Sequence, residues 1–273
     1  MNKKILITGS TDGIGLEAAK ALRLQNHTVL LHGRNFLKLE QATTIVSKLG
    51  DGNAVDSFLA DLSDLNQVEA FTRVVSDKHD NLDVIINNAG IFRTSDTSAE
   101  NELDIRFIVN TYAPYLLTKR LLPLLHSGSR VVNISSAAQA PVSIEALSGK
   151  KGIADQFNAY AQSKLALTMW SLAMAADFKE SGVIFVAVNP GSLLATKMVQ
   201  EGFGMEGKNI QTGTDILVRA ALSPEFADAS GQYYDNDSSQ FSSPHPDALD
   251  PKKTDVIIRT IEEILSQRGH AFV

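Results

Sequence analysis

Ile5-Leu6-Ile7-Thr8-Gly9-Ser10-Thr11-Asp12-Gly13-Ile14-Gly15 passes from a short apolar run, through three glycines, into a helical pattern. The run is β-branched and too short for a helix, so it reads as a strand at 5–8, and the apolar spacing that follows reads as a helix at 16–24. Glycines let the backbone turn tightly, and a helix start presents unpaired N–H groups together with the positive end of its dipole. A strand, a glycine turn and a helix in that order form a cradle for a pyrophosphate. The spacing here is G-x3-G-x-G, which differs from the G-x-G-x-x-G dinucleotide fingerprint. The residues expected against a nucleotide are Gly9, Ser10, Thr11, Gly13, Ile14 and Gly15.

Outward from this stretch the same alternation repeats. Apolar, β-branched-rich runs at 28–32, 57–59, 84–87, 130–134, 183–188 and 231–234 read as further strands. Segments 36–49, 66–76, 99–125, 159–180, 214–222 and 254–266 carry apolar residues at three- and four-residue spacing and read as helices. Strands apolar on both faces, alternating with helices, specify a doubly wound parallel sheet covered on each side: an α/β, Rossmann-like fold. No linker, repeat or low-complexity tract divides the 273 residues, so a single domain is expected. Ligands of such sheets bind beyond the carboxyl ends of the strands. Three segments break the alternation there, 137–158, 192–211 and 235–253, and are expected to be substrate loops.

Composition narrows the function. Charged residues are 21% and apolar residues 44%, which suits a folded core, and 25 Lys+Arg against 31 Asp+Glu gives a net charge of -6. Without a basic surplus there is no nucleic-acid footprint, and a small-molecule partner fits better. The absence of cysteine excludes disulfides, thiolate metal sites and a cysteine nucleophile. Six histidines show no metal-ligand spacing. Met1-Asn2-Lys3-Lys4 leads into too short an apolar run for a signal peptide, and no stretch approaches a membrane span. The expectation is a cytoplasmic protein with no membrane and no metal.

Two further places carry chemistry. Within the 159–180 helical pattern, Tyr160 and Lys164 lie four residues apart and therefore on one face. A phenol ordinarily loses its proton near pH ~10, and a nearby cation favours the phenolate, so the pair reads as an acid/base poised toward neutrality. After the second strand comes Gly33-Arg34-Asn35. An acidic residue at this point would receive a ribose 2′-hydroxyl, whereas arginine accommodates a 2′-phosphate. Arg34, with Asn35 beside it, therefore favours NADP(H), NAD(H) being admitted as the second choice. Asp12 puts an unhelpful negative charge near the same place.

The Thr8–Gly15 loop, Asp61, Asn87-Asn88-Ala89-Gly90, Asn110, Ser136, Tyr160, Lys164 and Asn189-Pro190-Gly191 occur in an order that resembles the short-chain dehydrogenase/reductase family over nearly the whole chain. The resemblance implies a hydride transfer between NADP(H) and a carbonyl or alcohol, with Tyr160 as general acid/base. It implies that Asp61 and Leu62 contact the adenine, that Asn88, Ala89 and Gly90 line the cofactor cleft, and that Pro190 and Gly191 border the nicotinamide. It further implies that Lys164 holds the nicotinamide ribose, that Ser136 binds the substrate oxygen, and that Asn110 holds a water relaying protons to Lys164. Ser135 rivals Ser136, and the family's reactive serine is usually the second of such a pair.

The 24 residues from Ser136 to Tyr160 are similar to the retinol-dehydrogenase-like and WW-domain-oxidoreductase-like branch. Thr196 stands one position later than the family's usual threonine after Pro-Gly, and no basic residue lies within Thr8–Gly15. The pattern at 159–180 is apolar on more than one face, through Leu165, Leu167, Met169, Trp170, Leu172 and Met174. Either it is buried deeply within the chain or it meets a second subunit, and the resemblance favours a homo-oligomer, a dimer or tetramer. The apolar residues Val142, Leu193, Leu194, Phe203 and Met205 favour a hydrophobic carbonyl or alcohol. The rival readings are a non-catalytic nucleotide-binding sensor of the same fold, a sugar-nucleotide epimerase and an enoyl reductase. The glycine spacing and the lack of an added substrate domain disfavour the epimerase, and the Tyr–Lys spacing disfavours the enoyl reductase.

Overall fold

The computed structural model describes residues 2–52, 55–94, 103–196, 200, 204 and 206–272. Its strands are β1 (Lys4–Ile7), β2 (Thr28–Gly33), β3 (Val55–Leu59), β4 (Val84–Asn87), β5 (Arg130–Ile134), β6 (Ile184–Asn189), β7 (Gln232–Asp235) and β8 (Gln240–Ser242). They form one sheet in the order β3-β2-β1-β4-β5-β6-β7-β8. Every pairing from β3 to β7 is parallel, and β8 returns antiparallel on β7. The strand order reverses between β1 and β4, which places a ligand crevice at their carboxyl ends.

The helices are α1 (Gly13–Leu24), α2 (Phe36–Ser47), α3 (Leu65–Lys78), α4 (Ile105–Phe107), α5 (Ala113–Leu121), α6 (Ile144–Leu147), α7 (Gln156–Asp177), α8 (Ile210–Leu222) and α9 (Pro251–Gln267). Alternation along each strand divides the core in two, because successive side chains leave opposite faces. Leu6, Leu30 and Ile85 pack with Phe71, Leu116 and Trp170 on one side. Ile5, Ile7, Val29 and Leu31 pack with Ala18, Leu22, Val46 and Ile216 on the other. Asp12, Asn35 and Asp155 cap α1, α2 and α7, each accepting a backbone N–H of the first turn. Such caps contribute roughly 1 kcal/mol each.

The doubly wound sheet expected from the sequence is present as a single domain, with several differences: α6 lies inside the expected loop 137–158, α7 starts at Gln156 rather than 159, and α8 starts at Ile210 rather than 214. The three-residue strand β8 was not anticipated. Helix α1 starts at Gly13 rather than 16, because Asp12 caps it. The helix expected over 99–125 is interrupted: Asp104 caps α4, a π-helical turn spans Ile108–Tyr112, and α5 ends at Leu121. Residues 99–102 of that expectation lie outside the described residues, as do Phe203 and Met205 of the expected substrate loop.

Helix α7 explains its own all-round apolarity. One side packs on the sheet, and α9 with the short turn Pro246–Leu249 covers another. Trp170 is 0% exposed and meets Tyr115 edge-on at 5.6 Å. Tyr115 in turn donates to Glu262 of α9 at 2.6 Å. Of the two explanations the sequence left open for these residues, burial within the chain accounts for Leu165, Leu167, Met169, Trp170 and Met174. No helix among the described residues is long and apolar enough to cross a membrane.

Candidate active site

The carboxyl ends of β1, β2 and β4 hold the glycine loop. Gly9 and Gly13 have φ of 64° and 57°, the left-handed region where a side chain is strained. A Cβ on Gly15 would stand 2.4 Å from the Gly9 carbonyl oxygen and 2.5 Å from Asn88 Nδ2, so this contact excludes every residue but glycine. Gly33 ends β2 with less obligation, because a Cβ there would meet only the Thr11 side chain, Cγ2 at 2.4 Å, which can rotate away. Such a turn leading into the start of α1 fits a nucleotide's phosphates: the loop is preshaped and closely backed, and the helix start attracts anions.

Not every expected residue faces that cradle with its side chain. Ser10 is fully buried, and its hydroxyl accepts the His32 N–H at 2.9 Å. Asn88 Nδ2 donates to the carbonyls of Thr8 (2.9 Å) and Gly9 (3.1 Å), so it clamps β4 to the loop from behind. The backbone N–H groups of Asn88 and Ala89 donate to the Thr8 hydroxyl, each at 3.0 Å. Asp61 accepts from Ser63 N–H and hydroxyl, at 2.9 and 2.8 Å, and shapes the turn into α3. Leu62 is 6% exposed and packs in the core, which leaves its backbone for any adenine contact. Asn35 Oδ1 accepts Lys38 N–H at 3.0 Å as the α2 cap, and Arg34 beside it is exposed.

Two residues here carried no signal in the sequence. Lys38 Nζ lies 3.2 Å from Asp12 Oδ2, so the negative charge in the loop is met by a cation from α2. His32 accepts Gly9 N–H on Nδ1 at 3.1 Å, and its Nε2 lies 3.1 Å from the Ala60 carbonyl, which makes Nε2 the protonated nitrogen. Burial pushes the imidazole pKa down to about 4, against the opposing effects of the Ala60 bond and Asp61. A neutral histidine stacked on Phe71 at 4.9 Å thus ties the glycine loop to the ends of β2 and β3.

The proton-transfer residues gather at the end of β5. Ser136 Oγ accepts Ala138 N–H at 3.0 Å, and its hydroxyl stands close enough to the Tyr160 phenol to favour the phenolate. Ser135 is 2% exposed and its hydroxyl meets Thr168 of α7 at 2.6 Å, so it is a structural residue. Lys164 is buried in α7, donates to the Ile134 carbonyl at 2.7 Å, and has its Nζ 5.8 Å from the centre of the Tyr160 ring. The expectation that Lys164 draws the phenol toward neutrality is not met in this arrangement. Burial raises the Tyr160 pKa, opposed by the neighbouring Ser136 hydroxyl, and burial lowers Lys164 to about 8. Both groups occupy the same desolvated space, where each charged form is disfavoured.

Asn110 sits within the π-helical turn and is 0% exposed. Its Oδ1 accepts Ile91 N–H, and its Nδ2 donates to the Ile91 carbonyl and to Ser163 Oγ, all at 2.9 Å. The side chain therefore joins the segment after Gly90 to α7, and its amide atoms are occupied in doing so. Such turns recur at functional sites because they release backbone groups from the helical ladder.

The remaining wall comes from β6 and the β7–β8 hairpin. Asn189, Pro190 and Gly191 follow β6, and Asn236 Nδ2 donates to the Pro190 carbonyl at 2.9 Å. Beyond them, Leu194 and Thr196 fold back over the glycine loop: a Cβ on Gly13 would approach Thr196 Cγ2 to 3.8 Å. Gln139 links the far side, donating to the Ser136 carbonyl and accepting His245 N–H. Tyr233 also donates to the Ser136 carbonyl, at 3.1 Å. Phe92 stands edge-on to Tyr160 at 5.1 Å and lines the phenol's other flank. Gln139, Tyr233, Asn236, Asp237 and Phe92 were not singled out from the sequence. Apart from the Gln139–Ser136 bond, their partners are too distant in the chain for spacing to reveal.

The chain matches the family model described as short chain dehydrogenase over residues 3–206. It is 27% identical over 268 residues to retinol dehydrogenase 13 of Homo sapiens, covering 91% of this chain and 80% of that protein. Retinol dehydrogenase 12 of Mus musculus is 30% identical over 244 residues, covering 85% and 77% respectively. Among solved structures, an NADPH complex from Escherichia coli superposes with a TM-score of 0.69 at 26% identity, covering 86% of this chain and 97% of that one. The cradle, the Ser136–Tyr160–Lys164 cluster and these matches agree, and the chain belongs to the short-chain dehydrogenase family.

Proposed function

We propose that the protein is an NADP(H)-dependent oxidoreductase that interconverts a carbonyl and an alcohol, with Tyr160 as the general acid/base. The observation that carries this reading is the convergence of Ser136, Tyr160 and Lys164 at the end of β5, with the rival Ser135 turned away onto Thr168. Bound NADPH supplies the hydride. Carbonyl reduction develops negative charge on oxygen, which Ser136 and Tyr160 meet with hydroxyl donors. The raised pKa keeps Tyr160 protonated and ready to donate. Lys164, still largely cationic at neutral pH, then stabilises the phenolate left behind. Asn110 and Ser163 hold the segment after Gly90 against α7, which fixes the opposite wall.

Preference for NADP(H) over NAD(H) rests on the exposed Arg34 after β2, and on Lys38, which offsets Asp12 at the same end. The NADPH complex of the related Escherichia coli chain supports it. Phe92, edge-on to Tyr160, favours an apolar substrate. α9 covers α7, so the apolarity of α7 no longer argues for a second copy of the chain; the homo-oligomer that the family resemblance favours stays part of this proposal, and a one-chain mass by light scattering at all dilutions would overturn it. A cytoplasmic address belongs to the same proposal and is tested by fractionating cells that produce the chain.

The deciding experiment screens the purified protein against aldehydes, ketones and alcohols by NADPH absorbance. Tyr160→Phe should bind NADPH as wild type does and lose about 10²–10⁴-fold in turnover. A Tyr160→Phe variant that turns over normally would sink the assignment. Wild type that binds NADPH but converts nothing in the panel would favour the non-catalytic sensor.

A further inference from the structure

The turn between β7 and β8 grips the segment after β6 one residue at a time. Asp237 Oδ1 accepts the Ser192 backbone N–H at 2.9 Å, and its Oδ2 accepts the Ser192 hydroxyl and, at 3.0 Å, Asn189 Nδ2. Asn189 Nδ2 also donates to Asp235 at 2.8 Å, while its Oδ1 accepts Gly191 N–H at 3.2 Å. Asn236 Nδ2 donates to the Pro190 carbonyl at 2.9 Å and to the Thr212 carbonyl of α8 at 3.2 Å. Each residue from Asn189 to Ser192 is thus held by a side chain, and the holding groups trace to Asp235, Asn236 and Asp237.

This grip opposes strain. Leu193 follows directly at φ 57°, a left-handed conformation that a leucine adopts only when its surroundings impose it. Gly191 precedes at φ 117°. Burial works against the Asp237 carboxylate, yet the bonds from Ser192 and Asn189 hold its pKa below the usual value, so the latch is charged at neutral pH.

We propose that Asn236 and Asp237 are positioning residues that preform the wall for the nicotinamide half of the cofactor, by fixing Pro190, Gly191 and Ser192. The proposal rests on the oxidoreductase reading given above. The side-chain hydrogen bonds of Asn236 and Asp237 go to the end of β6, the segment after it and α8, none of them to the cradle at β1 and α1, so the two halves of the dinucleotide are held by different side chains. A preformed wall spares the cofactor the cost of ordering it.

The test compares two ligands on the full chain by fluorescence titration and calorimetry: NADPH, and adenosine 2′,5′-bisphosphate, which lacks the nicotinamide half. Asp237→Ala should weaken NADPH about tenfold and move the bisphosphate by less than about twofold. Asn236→Ala should act in the same direction, and Asp237→Glu, which keeps the carboxylate, should recover part of the loss. In the protein without ligand, hydrogen exchange at Gly191 and Ser192 should quicken in Asp237→Ala while exchange in α1 stays as in wild type. Equal weakening of both ligands, unchanged NADPH affinity, or unchanged exchange at Ser192 would overturn the proposal. Wild-type protein that binds neither ligand would strike instead at the nucleotide reading itself, and the proposal would fall with it.

Discussion

The two ends of the cleft are built on different principles. At the β1–α1 end, backbone does the work: glycines at 9, 13 and 15 lie within seven residues of one another, and their side-chain neighbours serve to hold them in place. At the β5–α7 end, side chains do the work, and they arrive from distant segments: Ser136, Tyr160 and Lys164, with Asn110, Gln139 and Tyr233 around them. The first end suits binding, because phosphates need many N–H donors and little chemistry. The second suits proton transfer, which needs a few groups with shifted acidity.

If this division is right, substitutions at the two ends should separate turnover from affinity. After Tyr160→Phe, the largest effect is expected at Ser136: Ser136→Ala should lower the carbonyl-reduction rate by about 10²–10³-fold with NADPH affinity kept. Ser135→Ala should act on stability through Thr168 instead, and a reversal of the two would exchange their roles. Next comes acid sensitivity at the glycine end. Folded His32 stays neutral down to about pH 4, whereas the unfolded chain takes up that proton from pH 6.5 downward. Stability should therefore fall as pH drops through this window, by about 3 kcal/mol from this residue. Urea unfolding at pH 7 and pH 4.5 measures it, and His32→Asn, which retains an acceptor for Gly9 N–H without titrating, should flatten the difference.

A smaller change is expected from Gly15→Ala, where the added methyl meets the Gly9 carbonyl. It should cost about 1–3 kcal/mol in unfolding free energy and weaken NADPH while leaving the Ser136–Tyr160 arrangement in place. The smallest is Arg34→Ala, which should lower the preference for NADPH over NADH about tenfold in kcat/KM without altering the maximum rate. Equal efficiency with NADH in both proteins would remove Arg34 from the cofactor argument.

The same contrast explains what could be read from the chain in advance. The glycine turn and the Tyr160–Lys164 pair were legible because their meaning lies in spacings of two to four residues, which local geometry fixes. The interrupted helix was not, because an unbroken apolar pattern hides the capping role of Asp104 and the extra residue of the π-helical turn. Asp237 went unread because its partners Asn189 and Ser192 lie 48 and 45 residues away. The shift of Tyr160 is hidden for a related reason: the spacing to Lys164 is visible in sequence, whereas the burial that raises the phenol's pKa is set by the whole fold. His32 reads as one more strand residue until Gly9 and Ala60 are seen on either side of its ring.

Trp170 gives the molecule a built-in optical probe. It is the chain's one tryptophan, fully enclosed between α7 and the helix that closes the fold, and its indole N–H finds no hydrogen-bond partner. Its emission should accordingly lie far to the blue, and should redden when α9 detaches from α7.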